Sequence, residues 1–163
     1  MSSVSAAPNV PPMVRDPRPQ SAARAILSAG LLAGILDITA AMNLYGYRGV
    51  DPVRILQSVA TGLLGRAAYK GGVTTAVLGT VLHFFIATGA AAVYYAASRW
   101  ITFLAKHPVP SGLIYGVAVY FFMNLVVLPL SAVPKSPFVP SPAMIGIHMF
   151  CVGLPIAVVL RRR

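Results

Sequence analysis

Four strongly polar residues lie inside long apolar stretches of the sequence, and their types suggest proton or ligand chemistry. Asp37 interrupts the run GLLAGILDITAAMN, and His83, Asn124 and His148 each interrupt a later apolar run. A carboxylate, an amide and two imidazoles can together bind and pass protons or hold a polar ligand. The chain contains only three acidic residues against 13 Lys or Arg, so an acid within an apolar run requires an explanation.

Two interpretations of these residues need no cofactor. In the structural interpretation, Asp37 hydrogen-bonds His83 or Asn124 and fixes the register of the helices, because polar side chains join helices in membranes. An ionised carboxylate at the centre of a bilayer costs at least ~2.5–3.5 kcal/mol, so Asp37 should be paired or protonated. In the functional interpretation, these three residues and His148 form a proton relay or a pocket for a polar ligand.

Two further interpretations involve a cofactor or a metal ion. His83 and His148 could be axial haem ligands on facing helices, as in electron-carrying bundles. A soft metal ion could bind three residues spaced at about one helical turn, Met144, His148 and Cys151, although Met and Cys are ordinary residues of apolar helices. The expectation is no metal and no cofactor, with haem as the alternative. No phosphate-binding loop or credible Ser-His-Asp arrangement is present, which favours a protein that is not an enzyme.

The composition indicates that these residues lie in a membrane. Hydrophobic residues make up 57% and charged residues 10% of the 163-residue chain, whereas soluble domains carry about a quarter charged residues. Four apolar runs are long enough to cross about 30 Å of hydrocarbon as helices: 25–45, 73–97, 112–133 and 143–160. The sequence therefore predicts an all-α, four-helix transmembrane domain over 22–163. A proline-rich N-terminal tail over 1–21 is expected to be disordered.

A further amphipathic helix is predicted at about 52–68, between the first two spans. Asp51 followed by Pro52 is typical of a helix start, because the carboxylate caps free N–H groups and proline suits the first helical position. The apolar residues share one side of a helical wheel: Val53, Leu56, Val59, Ala60, Leu63, Leu64 and Ala67. The polar residues and a glycine share the other side: Arg54, Gln57, Ser58, Thr61 and Gly65. Such a helix is expected to lie among the lipid headgroups or to cover one end of the bundle.

The distribution of Lys and Arg predicts that both termini are cytoplasmic. With that orientation, eight basic residues flank the spans inside and five outside. The outer ones lie mostly near the amphipathic helix, where they would meet anionic lipid headgroups. The positive charge therefore points to a bilayer and not to nucleic acid. The triple arginine at the C-terminus is typical of the end of a last transmembrane helix.

Small residues indicate which helix faces point into the bundle. Gly30 and Gly34 share a stripe of the first span with Asp37, and Gly112 and Gly116 form a GxxxG pair in the third. Such positions let helix backbones approach closely, within one chain or between copies in a homo-oligomer. Counting 1.5 Å per residue from the predicted outer ends places the four polar residues within about 8 Å of one depth.

Four segments of this chain resemble a family of small four-span bacterial inner-membrane proteins: DPVRILQSVATGLLG, VLHFFIATGAAAVYYAASR, YGVAVYFFMNLVVLPLSAVP and IHMFCVGLPIAVVL. The overall plan is also loosely similar to that of the YagU-like proteins. The resemblance implies a multi-pass protein of the bacterial inner membrane and brings no activity with it. The leading hypothesis is a non-enzymatic accessory or scaffold subunit, with or without a membrane partner. The alternatives are an oligomeric proton- or solute-handling transporter component and a haem-binding electron-transfer protein.

Overall fold

A computed structural model of the protein describes residues 21–161, and within that range the chain is helical and contains no strand. The helices, in chain order, are α1 (Ala22–Gly46), α2 (Pro52–Leu64), α3 (Gly72–Trp100), α4 (Thr102–Lys106), α5 (Pro108–Leu130) and α6 (Pro142–Leu160). A 3₁₀ segment, Gly65–Lys70, joins α2 to α3. The predicted disordered tail lies outside the described residues except for Ser21, whose hydroxyl caps α1 by accepting from the Arg24 N–H.

Within 21–161, four helices are long and apolar enough to cross a membrane: α1, α3, α5 and α6. The prediction of an all-α, multi-pass membrane protein is therefore confirmed. The third span begins at Pro108, four residues before the predicted start, because proline is well suited to the first turn of a helix. It ends at Leu130, three residues before the predicted end.

Two of the spans contain a π-helical turn that the helical pattern does not reveal. The turn in α5 covers Met123–Val127 and the turn in α6 covers His148–Gly153. Each is followed two residues later by proline, Pro129 and Pro155. Proline lacks an N–H and crowds the carbonyl four residues earlier, so a widened turn before it removes the conflict. Each turn also rotates the side chains around it away from their α-helical directions.

The four spans form an open ring rather than a closed square. α1 packs against both α3 and α6, and α6 packs against α5. α3 and α5 make little direct contact. Among the described residues, the Tyr115 hydroxyl donates to the Ala90 carbonyl oxygen at 2.8 Å, and the Tyr94 hydroxyl lies 2.8 Å from Ser111 Oγ at the start of α5. The ring is therefore open between α3 and α5 over much of its length.

One end of the bundle, the core end, holds the closely packed interior. This end contains the start of α1 and the end of α6. Its buried residues are Ala25, Ala29, Ala33, Ala91, Tyr94, Val152, Ile156, Ala157 and Leu160. The Tyr94 hydroxyl lies 2.8 Å from Ser111 Oγ and donates to the Leu104 carbonyl oxygen at 3.1 Å. These bonds join α3 to α4 and to the start of α5, and they close this end.

Glycines mark the places where helix backbones meet. A Cβ on Gly30 would overlap the Cα of Thr88, and a Cβ on Gly34 would overlap the ring of Phe84, both on α3. On α5, Gly116 lies against the backbone of Gly153 in α6. Gly112 lies beside the same crossing, where a Cβ would overlap Ala157 and the backbone of Leu154. The four glycines singled out in the sequence thus lie at crossings inside one chain.

α2 begins as the sequence predicts but packs with a different face. The Asp51 carboxylate caps it by accepting from the Val53 N–H at 2.8 Å. Gln57 and Thr61, expected to be on the exposed polar side, are 3% and 4% exposed, whereas Leu63 is 62% exposed. The reason is that Gln57 Nε2 donates to the Gly72 carbonyl oxygen at 2.9 Å, a partner that only the start of α3 supplies. α2 therefore covers the start of α3 and turns apolar side chains outward.

Candidate functional site

A cavity of about 560 Å³ occupies the end of the bundle opposite the core end. We call this end the cavity end. Its walls come from α1, α2, α3, α5 and α6, and most of the lining is apolar. Val152 and the residues after it fill the core end. At the cavity end, the widened turns of α5 and α6 and the open side between α3 and α5 leave space between the helices. Asp37, His83, Asn124 and His148 all line it, each from a different span.

Asp37 supplies the carboxylate of the cavity. It lies on α1 one turn beyond Gly34, the residue that packs against α3. Its Oδ1 atom is buried and has no hydrogen-bond partner among residues 21–161. A buried oxygen without a partner is costly in an apolar setting, so the Asp37 carboxylate favours a further donor.

His83 reaches across from α3 to the backbone of α1. Its Nε2 lies 2.9 Å from the carbonyl oxygen of Gly34. Because a carbonyl oxygen only accepts, Nε2 carries a proton, and Nδ1 is the other ring nitrogen. The imidazole also meets the ring of Phe84 edge to face, with 5.4 Å between centroids. The close approach at Gly34 brings this carbonyl within reach of the imidazole.

Asn124 and His148 both sit in the widened turns and both bond to their own helices. Asn124 Nδ2 donates to the Tyr120 carbonyl oxygen at 2.8 Å. His148 Nδ1 donates to the Met144 carbonyl oxygen at 2.9 Å, which leaves Nε2 as the other ring nitrogen. The His148 ring packs edge to face on Tyr120, at 5.4 Å between centroids. The two side chains are thus held in place by backbone carbonyls of the helix turn before them.

The direct network expected from the sequence is not formed. In the described part of the chain, no hydrogen bond or ion pair joins Asp37 to His83 or to Asn124. Each of these two side chains is bonded to a backbone carbonyl oxygen instead. The structure therefore gathers the four residues around one cavity without bonding them to one another.

Tyr120 is a residue of this site that sequence reasoning missed. It is 4% exposed, and its hydroxyl accepts from the Ser141 N–H at 2.9 Å. Its ring also contacts Phe138, so it holds the proline-rich segment between α5 and α6 against the cavity. The only sequence signal was its place four residues before Asn124, on the same helix side.

The rim of the cavity carries two tyrosines, each beneath an arginine. The Arg48 guanidinium lies 5.9 Å from the Tyr45 ring centroid, and the Arg54 guanidinium lies 5.3 Å from the Tyr69 ring centroid. Tyr45 and Tyr69 both line the cavity. Cation–π contacts of this kind fix the guanidinium groups beside the rim, at the end where α1 and α2 meet.

The cavity brings together the residues of the haem hypothesis but not those of the metal hypothesis. Met144 and His148 line the cavity, but Cys151 is not part of its lining, so the three do not converge there. Within residues 21–161, no group of three His, Cys, Asp or Glu side chains is placed to hold a metal ion. His83 and His148 do share the cavity, with Nδ1 and Nε2 respectively not used in the bonds described above. Haem ligation stays a prediction.

A second cavity of about 440 Å³ adjoins the first one. It lies between the end of α5 and the segment that leads to α6, and Lys135 is its basic residue. Asn124, Leu128, Val133 and Val139 line both spaces. Asn124 thus stands where the two cavities meet.

Comparison with known proteins adds no functional information. No family model, curated protein or solved structure matches this chain. The resemblance to small inner-membrane proteins and the YagU-like plan therefore stays a prediction.

Proposed function

We propose that this protein is a proton- or solute-handling component of a bacterial inner membrane, with the cavity as its binding pocket. One observation carries the proposal: four different spans each contribute a strongly polar side chain to a single, largely apolar cavity. Polar groups within a membrane bundle are costly, and they are typical of ion, proton or substrate pathways. Cavities of roughly 300–1,000 Å³ with a few convergent polar groups are also the usual form of a small-molecule site.

The polar groups have unused capacity for protons. Asp37 Oδ1 has no partner among the described residues, and each cavity histidine has one ring nitrogen outside the bonds described above. A carboxylate and two imidazoles around one space can exchange protons through bound water or a bound solute. We further propose cytoplasmic termini, contact of the basic rim with anionic lipids, and assembly into a homo-oligomer, because four spans alone scarcely enclose a pathway.

A non-enzymatic accessory or scaffold subunit is the second candidate. It is supported by the bonds of His83, Asn124 and His148, each of which binds a backbone carbonyl oxygen. Side chains used in this way stabilise a helix or a helix pair and need no transported species. In the first candidate, removal of the polar groups should lower proton or solute flux. In the second, it should lower the stability of the protein.

Proton flux in vesicles separates the candidates. Purified protein is reconstituted into vesicles with a trapped pH-sensitive dye, and a potassium diffusion potential drives protons inward. We expect the wild type to speed the internal pH change and Asp37→Asn to remove most of that gain. Asp51→Asn is the matched control, because it removes the carboxylate at the start of α2, outside the cavity lining.

The melting temperature of each variant in detergent completes the test. Loss of flux in Asp37→Asn with an unchanged melting temperature supports the proposed function. Equal pH changes in wild type, Asp37→Asn and empty vesicles would overturn proton handling. A lowered melting temperature of His83→Ala without any flux in the wild type would favour the accessory role.

A further inference from the structure

We propose that the cavity takes a lipophilic ammonium ion, an apolar amine whose protonated nitrogen donates to Asp37. This inference rests on the proposed function, since it names the class of solute for the same pocket. It goes beyond that proposal because it assigns the sign of the charge, the donor and the apolar body of the ligand.

The charge of the lining selects a cation. Asp37 is the only acidic residue in the lining of the larger cavity, and no Lys or Arg belongs to that lining. The other titratable side chains of the walls are two histidines and three tyrosines: His83, His148, Tyr45, Tyr69 and Tyr120. None of them is bonded to the carboxylate in the described residues. A single carboxylate in an apolar wall attracts a positive partner, whereas an anionic ligand would meet an unfavourable charge.

The carboxylate that would bind the ammonium group lines the cavity. Asp37 Oδ1 is buried and lacks a donor, and a protonated amine supplies N–H donors together with the opposite charge. Charge-assisted hydrogen bonds of this type are about twice as strong as neutral ones. The neighbouring His83 does not compete for the carboxylate, because its N–H is used by the Gly34 carbonyl oxygen.

The remaining wall suits an apolar body. Ile86 and Ala87 line the cavity from α3, and Val119, Met123 and Val127 line it from α5. Methionine side chains adapt to irregular ligands, and the aromatic ring of Tyr120 adds a face for a cation or an apolar group. The ligand expected is therefore an amine with one aromatic or branched aliphatic group.

The open side of the ring explains why the amine should be lipophilic. α3 and α5 are joined near the core end by Tyr115 and Ala90. At the cavity end, the Ala132 N–H donates to the Gly62 carbonyl oxygen at 3.0 Å and ties α2 to the segment after α5. Between these links the two spans make little contact, so the opening between them faces hydrocarbon.

The arginines at the rim also favour entry of the ligand from the bilayer. Arg48 and Arg54 are held by tyrosines of the cavity wall, at the end where the chain leaves the spans. Their positive charge disfavours direct entry of a cation from water through that end. A ligand that first dissolves in the bilayer avoids this barrier by entering between α3 and α5.

Binding of a matched pair of ligands tests the inference. The full-length protein in lipid nanodiscs is titrated with 2-phenylethylammonium, which is charged at pH 7 like other alkylamines. The neutral 2-phenylethanol has nearly the same shape, and 3-phenylpropanoate carries the opposite charge. We expect the ammonium ion to bind the wild type at least tenfold more tightly than the alcohol, measured by calorimetry against empty nanodiscs. The propanoate should bind most weakly.

Substitutions then assign the preference to one carboxylate. Asp37→Asn should reduce the ammonium affinity to that of the alcohol, whereas Asp51→Asn should keep the preference. Ile86→Trp should weaken both ligands because it fills the cavity. The melting temperature and gel-filtration profile of each variant show whether it is folded.

Each contrary result has a definite meaning. Equal binding of amine and alcohol, tightest binding of the propanoate, or a preference that survives in Asp37→Asn would overturn the inference. If the alcohol and amine bind equally and Asp37→Asn still lowers proton flux, the ligand class is wrong and the proposed function stands. If neither ligand binds and the wild type shows no flux, both proposals fail.

Discussion

Nε2 of His83 lies 2.9 Å from the carbonyl oxygen of Gly34, one helical turn before Asp37. The imidazole of α3 thus bonds to the backbone of α1 and leaves the nearby carboxylate without it. A hydrogen bond between helices and an unpartnered acid are consequences of the same contact. The first supports a structural role for His83, and the second supports a ligand role for Asp37.

Removal of the His83 imidazole should weaken the α1–α3 contact without unfolding the protein. Hydrogen bonds between helices in membranes contribute about 0.6 kcal/mol on average and up to roughly 1.7. We expect His83→Ala to lower the free energy of unfolding by about 1–2 kcal/mol, since the cavity also grows, and His83→Gln to lower it less. Unfolding in mixed micelles measures the difference. A loss above roughly 4 kcal/mol would mean that His83 has partners beyond Gly34.

The crossing of α5 and α6 should tolerate no side chain at Gly153. A Cβ there would overlap the Gly112 carbonyl oxygen and the backbone of Gly116. Overpacking of this kind costs roughly 1–3 kcal/mol, so Gly153→Ala should lower the melting temperature clearly. Gly146→Ala is the control on the same helix, because no atom lies within 4 Å of its Cβ position. Equal melting temperatures of the two variants would contradict this crossing.

The core end should depend on the Tyr94 hydroxyl. That oxygen lies 2.8 Å from Ser111 Oγ and 3.1 Å from the Leu104 carbonyl oxygen, and Tyr94 is 1% exposed. Tyr94→Phe should therefore destabilise the protein by about 1–3 kcal/mol, because buried polar partners lose a bond. Tyr47→Phe should change little, since Tyr47 is 97% exposed. Thermal unfolding in detergent compares the two, and equal shifts would contradict the burial of this hydroxyl bond.

The haem hypothesis has a direct spectroscopic test. The haem alternative predicts a Soret band in protein purified from cells supplied with a haem precursor, because Nδ1 of His83 and Nε2 of His148 stay outside the backbone hydrogen bonds, whereas the proposed function predicts none. A band that disappears in both His83→Ala and His148→Ala would instead establish bis-histidine ligation. A band that survives both changes would come from adventitious haem.

The proposed orientation predicts which side of the membrane meets the segment between α5 and α6. A cysteine at Ser136, in a Cys151→Ser background, should react with an impermeant maleimide added to intact spheroplasts. A C-terminal fluorescent protein should also fold and fluoresce, as it does in the cytoplasm. Labelling of the cysteine only after lysis would reverse the orientation and place the cavity end inside.

Local pattern was sufficient for much of the fold. The four spans follow from hydrophobic length, and the start of α2 follows from the cap at Asp51 and the proline after it. These features depend on residues close together in sequence. The glycine stripe of Gly30 and Gly34 could also be predicted, because residues three or four apart share one helix face.

The arrangement of the candidate site depended on contacts that no local pattern contains. The wheel position of Gln57 gave the wrong side because its partner, Gly72, is 15 residues away on α3. Asn124 and His148 lie in the widened turns before Pro129 and Pro155, which interrupt the α-helical period, so a helical wheel does not fix their directions.

By itself the sequence determined that this protein crosses a membrane four times and that each span carries one strongly polar group, since both follow from composition and spacing. Only the tertiary structure decided that these groups surround a cavity without binding one another. The physical reason is that each imidazole or amide bonds to a backbone carbonyl oxygen, on its own helix for Asn124 and His148 and on the packed helix α1 for His83. For His83 that oxygen belongs to Gly34, and Asp37 remains available to a ligand.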